Sequence, residues 1–197
     1  MSERTPFKRA DSLAATYRAL FRQFGHHPSP SPDTTEIVGP VETVLDAVGW
    51  KIASLIDLHP LRFSGYSWGN YGTLAMSRCL FLRHGSPHPG CRCGFHAYRL
   101  REDAERLLNR RDNAVLLRVG LYGTLVEHTH GWRAEEQDVL AVHLPAHCTA
   151  RGCDEPAAAL QRRHGAWAAR CPRHCGTNAV TFDELRRTGS VDVVTDL

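Results

Sequence analysis

The longest strand-forming stretch of the chain is "NAVLLRVGLYGTLVEHTHGWRAEEQDVLAVHLP", residues 113–145. Valine and leucine dominate it, and it is interrupted by Gly120, Gly123 and Gly131. Branched apolar residues between turn-forming residues are typical of antiparallel strands. We predict a meander in which the internal glycines mark bulges or curvature. Its three strands are predicted at residues 114–120, 122–128 and 132–143.

Two helices are predicted to pack against this sheet. Residues 40–58 begin with a proline at a possible first helical position and carry apolar residues at helical spacing. Residues 100–110 form the second helix, and its inward-facing residues are Leu100, Ala104, Leu107 and Leu108. Between them, residues 61–82 are rich in glycine and predict a loop with short β segments. The aromatic side chains of that loop fit either the core or a stacking surface for bases: Phe63, Tyr66, Trp68 and Tyr71.

The chain divides by composition into three predicted parts. Residues 1–35 hold an amphipathic helix at 8–24 and a tether rich in proline and serine at 26–35. Residues 36–145 form an α+β core, and residues 146–197 a small zinc module. A capping box, in which Glu184 follows Thr181 by three residues, predicts a helix within that module. The predicted fold class is α+β, a glycine-rich antiparallel sheet with two or three helices and the C-terminal zinc module.

Composition points to a globular, metal-binding protein. Charged residues make up 23% of the 197 residues and hydrophobic residues 42%, values that favour a packed core over disorder. No apolar run is long enough to span a bilayer and no secretory signal is recognisable, so we expect a cytoplasmic protein without membrane contact. There are 7 cysteines and 12 histidines. An odd number of thiols without a secretory signal favours metal binding over disulfides.

The C-terminal cysteines have the spacing of a zinc site. "CTARGC" (148–153) is followed by "CPRHC" (171–175), and two such short knuckles can deliver four tetrahedral ligands. The segment has few apolar side chains, so a metal would help it to fold. The predicted ligands are Cys148, Cys153, Cys171 and His174, with Cys175 as the alternative for the fourth position.

A second cluster lies in "HGSPHPGCRCGFHAYR", residues 84–99, together with the cysteine before it. The predicted zinc ligands are Cys79, His84, Cys91 and Cys93, with His88 and His96 as alternatives to the histidine. Gly90 and Gly94 flank the two closely spaced cysteines and permit a sharp turn. Buried thiols acting as small apolar residues are the competing interpretation, and redox or nucleophilic thiol chemistry is a third. Two zinc ions per chain are therefore expected.

The hairpin around "EHTHGWRA" (127–134) contains a candidate acid–base pair. Glu127 and His128 could act as acid and base. However, adjacent strand residues point to opposite faces, whereas His128 and His130 share one. The alternative is a plain hairpin in which Glu127 pairs with Arg133 across the strands. The motifs of the common zinc proteases, serine hydrolases and P-loop proteins are absent from the sequence.

Two motifs carry a resemblance. Cys79, then "H-x2-P-x3-C-x-C-G-x2-A" and later "G-x3-E-H-x2-G-W-R-A" recur in this order over residues 65–145. The chain here resembles a group of uncharacterised actinobacterial and phage-borne proteins, and the C-terminal cluster is similar to zinc-ribbon and treble-clef modules. The first resemblance implies that the cysteines and His84 act together. It transfers no activity.

The leading functional prediction is a non-enzymatic zinc protein that binds nucleic acid, as a regulator. Residues 148–176 carry a basic excess that suits such a partner. The predicted binding residues are Trp132, Arg133, Arg162, Arg163, Arg170 and Arg173. The alternatives are an adaptor for a protein of transcription or replication, and a zinc hydrolase using Glu127 and His128.

Overall fold

The computed structural model describes most of the chain beyond residue 36. The described residues are 37–38, 47–58, 61–65, 69–79, 84–108, 114–163, 166–189 and 191–197. The predicted helix at 8–24, the tether at 26–35, Tyr66 and Trp68 lie outside them. Within the described residues the chain forms a nine-stranded sheet, a three-stranded sheet and two helices, an α+β fold.

The elements are numbered here in chain order. The large sheet comprises β1 Ile37–Val38, β2 Ala47–Leu58, β3 Leu61–Gly65, β4 Gly69–Tyr71, β5 Leu74–Met76, β6 Phe95–Tyr98, β7 Ala114–His128, β8 Gly131–Leu144 and β12 Asp192–Thr195. The small sheet comprises β9 Ala159–Arg163, β10 Ala166–Arg170 and β11 Val180–Thr181. The helices are α1 Arg101–Leu108 and α2 Phe182–Thr188. No described helix is long and apolar enough to cross a membrane.

A single long hairpin, β7 and β8, takes the place of the predicted three-stranded meander. The two strands run for 15 and 14 residues and turn at Thr129 and His130. The predicted break near residue 121 is wrong, because β7 continues through this residue. Gly123 lies in a bulge of the strand and not in a turn. Gly123 has φ +74°, and the pairing register shifts between Tyr122 and Leu125. The expectation that strand glycines mark bulges is thus confirmed at Gly123.

The large sheet closes on itself. β7 pairs with β8, β8 with β6, β6 with β2, and β2 again with β7, so four strands form a ring. Gly131 allows β8 to approach β6 closely, since a Cβ at this position would lie 1.9 Å from the Ala97 carbonyl oxygen of β6. All of these pairs are antiparallel, but β12 joins β8 in parallel. The predicted C-terminal module therefore includes one strand of the large sheet.

The predicted helix at 40–58 is wrong wherever the structure describes it, because residues 47–58 form strand β2. Both faces of this strand are covered. Ala53 and Leu55 face the main core, whereas Ile52 packs with Ala104 of α1. A strand that is buried on both faces has apolar residues on both, so strict alternation is lost and helical spacing is satisfied by chance.

The remaining predictions for local structure are largely confirmed. Residues 61–76 contain the short strands β3, β4 and β5. The helix predicted at 100–110 is α1, and it buries Ala104, but Leu100 lies before the helix and is 55% exposed. α2 begins after Thr181, whose hydroxyl accepts a hydrogen bond from the Glu184 backbone N–H at 3.1 Å.

A lysine is buried among the core side chains. Lys51 of β2 is 9% exposed, and its Nζ donates to Gln137 Oε1 of β8 at 2.9 Å. The ammonium lies 4.9 Å from the ring centre of Tyr71 and 4.7 Å from that of Phe95. Burial lowers the pKa of Lys51 to about 7, because a charge is poorly solvated among these rings.

We predict that replacing the hydrogen-bonded pair Lys51 and Gln137 by apolar residues stabilises the protein. Lys51→Met combined with Gln137→Leu should raise the free energy of unfolding by about 1–3 kcal/mol at neutral pH, since it removes a buried cation together with its partner. Between pH 7 and 10.5 the unfolded chain holds the Lys51 proton and the folded chain does not. The stability of the native protein therefore rises with pH across that window, and the advantage of the variant shrinks accordingly.

Urea denaturation at a series of pH values measures both effects. Gln137→Leu alone is the matched control, and it should destabilise the protein because it leaves Lys51 without its acceptor. A double variant that unfolds more easily than the native chain at pH 7 would contradict the prediction.

Candidate metal centres

The first cluster gathers the four residues predicted from the sequence. Cys79 follows β5, while Cys91 and Cys93 precede β6, and His84 lies between. One ligand atom from each residue lies within 4.8 Å of every other. The turn between the strands brings the cysteines together. The Cys91 N–H donates to the His88 carbonyl at 3.0 Å, and Gly94 adopts φ +107° directly after Cys93.

The sulfur spacing of this cluster fits a metal ion. Cys79 Sγ and Cys91 Sγ are 3.8 Å apart. In a tetrahedral site with metal–sulfur bonds of about 2.3 Å, two sulfur ligands lie about 3.8 Å from each other. The separation therefore suits two thiolates that share one ion.

His84 presents one nitrogen to the cluster. Its Nδ1 lies 2.5 Å from the carbonyl oxygen of Gly85, which can only accept, so Nδ1 carries the hydrogen. Its Nε2 is buried and has no hydrogen-bond partner among the described residues. A carbonyl that orients the ring through one nitrogen and leaves the other for the metal is the usual arrangement for a histidine ligand.

The two alternative histidines are engaged elsewhere. His88 Nδ1 accepts a hydrogen bond from the Gly90 N–H at 3.2 Å. His96 Nε2 lies 3.0 Å from the Arg92 carbonyl, and burial lowers the pKa of His96 to about 4. Neither belongs to the cluster. His84 is therefore the nitrogen ligand that the geometry selects.

Arg133 is buried next to the first cluster and does not lie on the protein surface. It is 4% exposed, and its Nε donates to His128 Nε2 at 2.8 Å. Its Nη1 donates to the carbonyl oxygens of Cys93 at 3.1 Å and of Cys91. The predicted place of Arg133 on a nucleic-acid face is wrong, because its guanidinium does not reach solvent.

The predicted ion pair between Glu127 and Arg133 is also wrong. The hairpin register sets Glu127 opposite Trp132, so Arg133 shares the face of His128. Glu127 pairs instead with Arg99, whose guanidinium also lies 4.9 Å from the Trp132 ring centre. His128 is buried whereas His130 is 58% exposed in the turn, so they do not form the shared face expected.

The second cluster joins two loops beside the small sheet. Cys148 and Cys153 lie between β8 and β9, and Cys171 and His174 follow β10. Their ligand atoms also lie within 4.8 Å of one another. Each loop is closed by its own backbone hydrogen bonds, from Cys148 N–H to the Glu155 carbonyl at 2.9 Å and from His174 N–H to the Cys171 carbonyl at 3.0 Å, and the Thr149 N–H joins the first loop to the Ala169 carbonyl of β10 at 3.0 Å.

The separations in the second cluster again match a tetrahedral ion. Cys153 Sγ and Cys171 Sγ are 3.8 Å apart. His174 Nδ1 lies 3.5 Å from Cys148 Sγ and 3.3 Å from Cys171 Sγ. A sulfur and a nitrogen on one tetrahedral ion are expected about 3.5 Å apart, for bonds of about 2.3 and 2.0 Å. His174 thus offers Nδ1, whereas His84 offers Nε2.

The geometry also decides between His174 and Cys175. Cys175 Sγ lies 3.7 Å from the Arg170 carbonyl and is not among the clustered ligand atoms. Burial raises the pKa of the Cys148 thiol, but hydrogen bonds to the backbone of Cys171 and Ala150 and to the His174 side chain outweigh it and lower the pKa to about 6. Cys148 is therefore ready to bind a cation as a thiolate at neutral pH.

The second cluster is more open to solvent than the first. His174 is exposed, and an open cavity of about 430 Å³ adjoins it. The cavity is lined by Gly152, Cys153, Asp154, Glu155, Arg173 and His174. The cavity is formed in part by ligands of the cluster and thus belongs to the same site.

No family model, no curated protein and no solved structure matches this chain. The resemblance to actinobacterial and phage-borne proteins therefore stays a prediction. Both ligand sets were identified from residue spacing, but the supporting role of Arg133 was missed. No local signal in the sequence indicates this role, because Arg133 lies about 40 residues after the cysteines that it supports.

We predict that Cys175 is dispensable for metal binding. Cys175→Ser should retain two metal ions per chain, whereas Cys153→Ser should lose one, because only Cys153 belongs to a ligand set. Elemental analysis of the purified variants measures the difference. The assignment would be overturned by a Cys175→Ser protein that loses an ion.

The two ligand histidines should bind through different ring nitrogens. Long-range nitrogen–proton NMR of the metal-loaded protein reports which nitrogen is coordinated. We expect Nε2 for His84 and Nδ1 for His174, since the carbonyl of Gly85 already holds the other nitrogen of His84. The same nitrogen on both rings would contradict one of the two sites.

Proposed function

We propose that this protein binds two structural zinc ions and uses the surface around the second one to bind nucleic acid. The two sets of four clustered ligand atoms carry the zinc proposal. Three thiolates and one imidazole form a donor set that suits zinc better than harder cations. Each set fills all four tetrahedral positions, which is typical of structural and not of catalytic zinc.

The geometry speaks against the hydrolase alternative. A zinc hydrolase needs an open coordination position and a nearby base. Glu127 and His128 lie on opposite faces of β7, so they cannot serve one site. Glu127 is paired with Arg99, and His128 accepts from Arg133.

Exposed arginines around the small sheet support nucleic-acid binding. Arg162 and Arg163 are exposed at the end of β9, and Arg173 is exposed beside the second cluster. Arg170 is half-buried, and its Nη1 donates to Thr149 Oγ1 at 2.7 Å, so we assign it to the support of the module. Guanidinium groups on one small module are the usual means of holding phosphates.

An adaptor role is supported by a different surface. Leu74 and Met76 of β5 are 69% and 60% exposed, and residues two apart on a strand share a face. Exposed apolar residues side by side are a feature of protein-binding surfaces. The adaptor proposal requires capture of one protein partner that persists after nuclease treatment and is lost on Leu74→Ser with Met76→Ser.

We expect binding to a short fluorescent DNA of mixed sequence to weaken steeply as salt increases. Each arginine that contacts a phosphate adds about 0.9 to the slope of log affinity against log salt for duplex DNA. Arg162 and Arg163 are neighbours on β9 and point to opposite faces. Arg162→Ala and Arg163→Ala are therefore made separately, and the variant on the binding face should reduce this slope by about 0.9. Fluorescence anisotropy over a salt series measures it.

Arg118→Ala is the matched control, because Arg118 is an exposed arginine of β7 in the large sheet. It should leave the slope unchanged. Zinc content is measured on the same preparations. Two zinc ions with affinity that does not depend on salt would overturn nucleic-acid binding and leave the zinc proposal standing, whereas metal-free protein would overturn the zinc proposal.

A further inference from the structure

We propose that Arg133 is a positioning residue for the first zinc site, where it holds the cysteine turn closed and balances the charge of the bound cluster. The inference rests on the proposed zinc binding. It concerns a residue that the sequence had placed on a binding surface. The contacts of Arg133, its burial and the charge of the ligand set carry it.

The guanidinium is bound from the loop side by backbone carbonyls. Arg133 Nη1 donates to Cys91, to Cys93 at 3.1 Å and to His88 at 3.3 Å. These carbonyls belong to the turn that carries two of the four ligands. One guanidinium nitrogen therefore holds the backbone of both cysteine ligands against β8.

His128 orients the arginine from the other side. Its Nε2 accepts from Arg133 Nε at 2.8 Å, so it bears no hydrogen and the imidazole is neutral. Both residues lie on the same face of the β7–β8 hairpin. The position of the guanidinium is thus set by the sheet, and the position of the cysteine turn is set by the guanidinium.

The charge of Arg133 requires a partner that its hydrogen bonds do not supply. Arginine remains protonated in proteins, and a buried charge without compensation is costly. Its four acceptors are three carbonyls and a neutral imidazole. Among the described residues no carboxylate forms an ion pair with it.

The first cluster supplies that charge once it holds zinc. Three thiolates and one neutral imidazole around a divalent ion leave a net charge of one negative unit. The thiolates of Cys91 and Cys93 belong to the residues whose carbonyls bind Arg133. Cluster and guanidinium are therefore equal and opposite charges in one partly buried volume, and each lowers the cost of burying the other.

Chelator competition on the full chain loaded with cadmium tests whether Arg133 supports metal binding at the first site. Cadmium NMR gives separate signals for the two sites, so the second site is an internal reference. Cys93→Ser, which removes a ligand of the first site, assigns the signals. We expect Arg133→Gln to weaken the first site by about 10- to 100-fold, the usual cost of losing a residue that orients metal ligands. Arg133→Lys, which keeps the charge, should weaken it less.

Arg99→Gln is the matched control, since Arg99 is an exposed arginine paired with Glu127. It should leave the metal affinity of both sites unchanged. If Arg133→Gln does not fold, the comparison of Arg133→Lys with Arg99→Lys decides.

If Arg133→Lys and Arg133→Gln weaken metal binding at the first site equally, the proposed charge balance is overturned. An unchanged affinity of the first site, even with a lower melting temperature, would overturn the positioning role. Native protein that binds no metal at either site would overturn the proposed function itself.

Discussion

The pairing of β7 with β8 is the interaction on which the rest of the fold depends. β1 and β2 pair with β7, whereas β5, β6 and β12 pair with β8. The hairpin register also places Arg133 and His128 on one face and Glu127 on the other. A slip of one residue would exchange these faces, so the support of the first cluster and the core would be lost together.

The two candidate metal sites lie in segments with little regular structure. Residues 84–94 contain no regular strand or helix, and the small sheet has strands of only two to five residues. Such segments bury too little apolar surface to repay the entropy of ordering them. A metal ion bound by each four-residue cluster would provide that stability in both places. The first also joins the turn to β8 through Arg133, and the second joins loops on either side of β9 and β10.

Two buried cations show how differently the fold treats charge. Lys51 lies among Gln137, Tyr71 and Phe95, and burial lowers its pKa to about 7, so it sheds its proton easily. Arg133 cannot do so, and it lies beside a ligand set that becomes anionic on metal binding. The side-chain chemistry of each residue suits its surroundings. Only Arg133 connects the core with a candidate metal site.

Residue spacing alone located both Cys/His clusters and indicated the α+β class, because the ligands of a knuckle and the residues of a capping box lie close together in the chain. The strand at 47–58 was mistaken for a helix, since burial on both faces removes the alternation that identifies strands. The tertiary structure alone decided His174 over Cys175, and it moved Arg133 from the surface to the first cluster. These outcomes depend on register and on partners distant in sequence, and no local pattern encodes either.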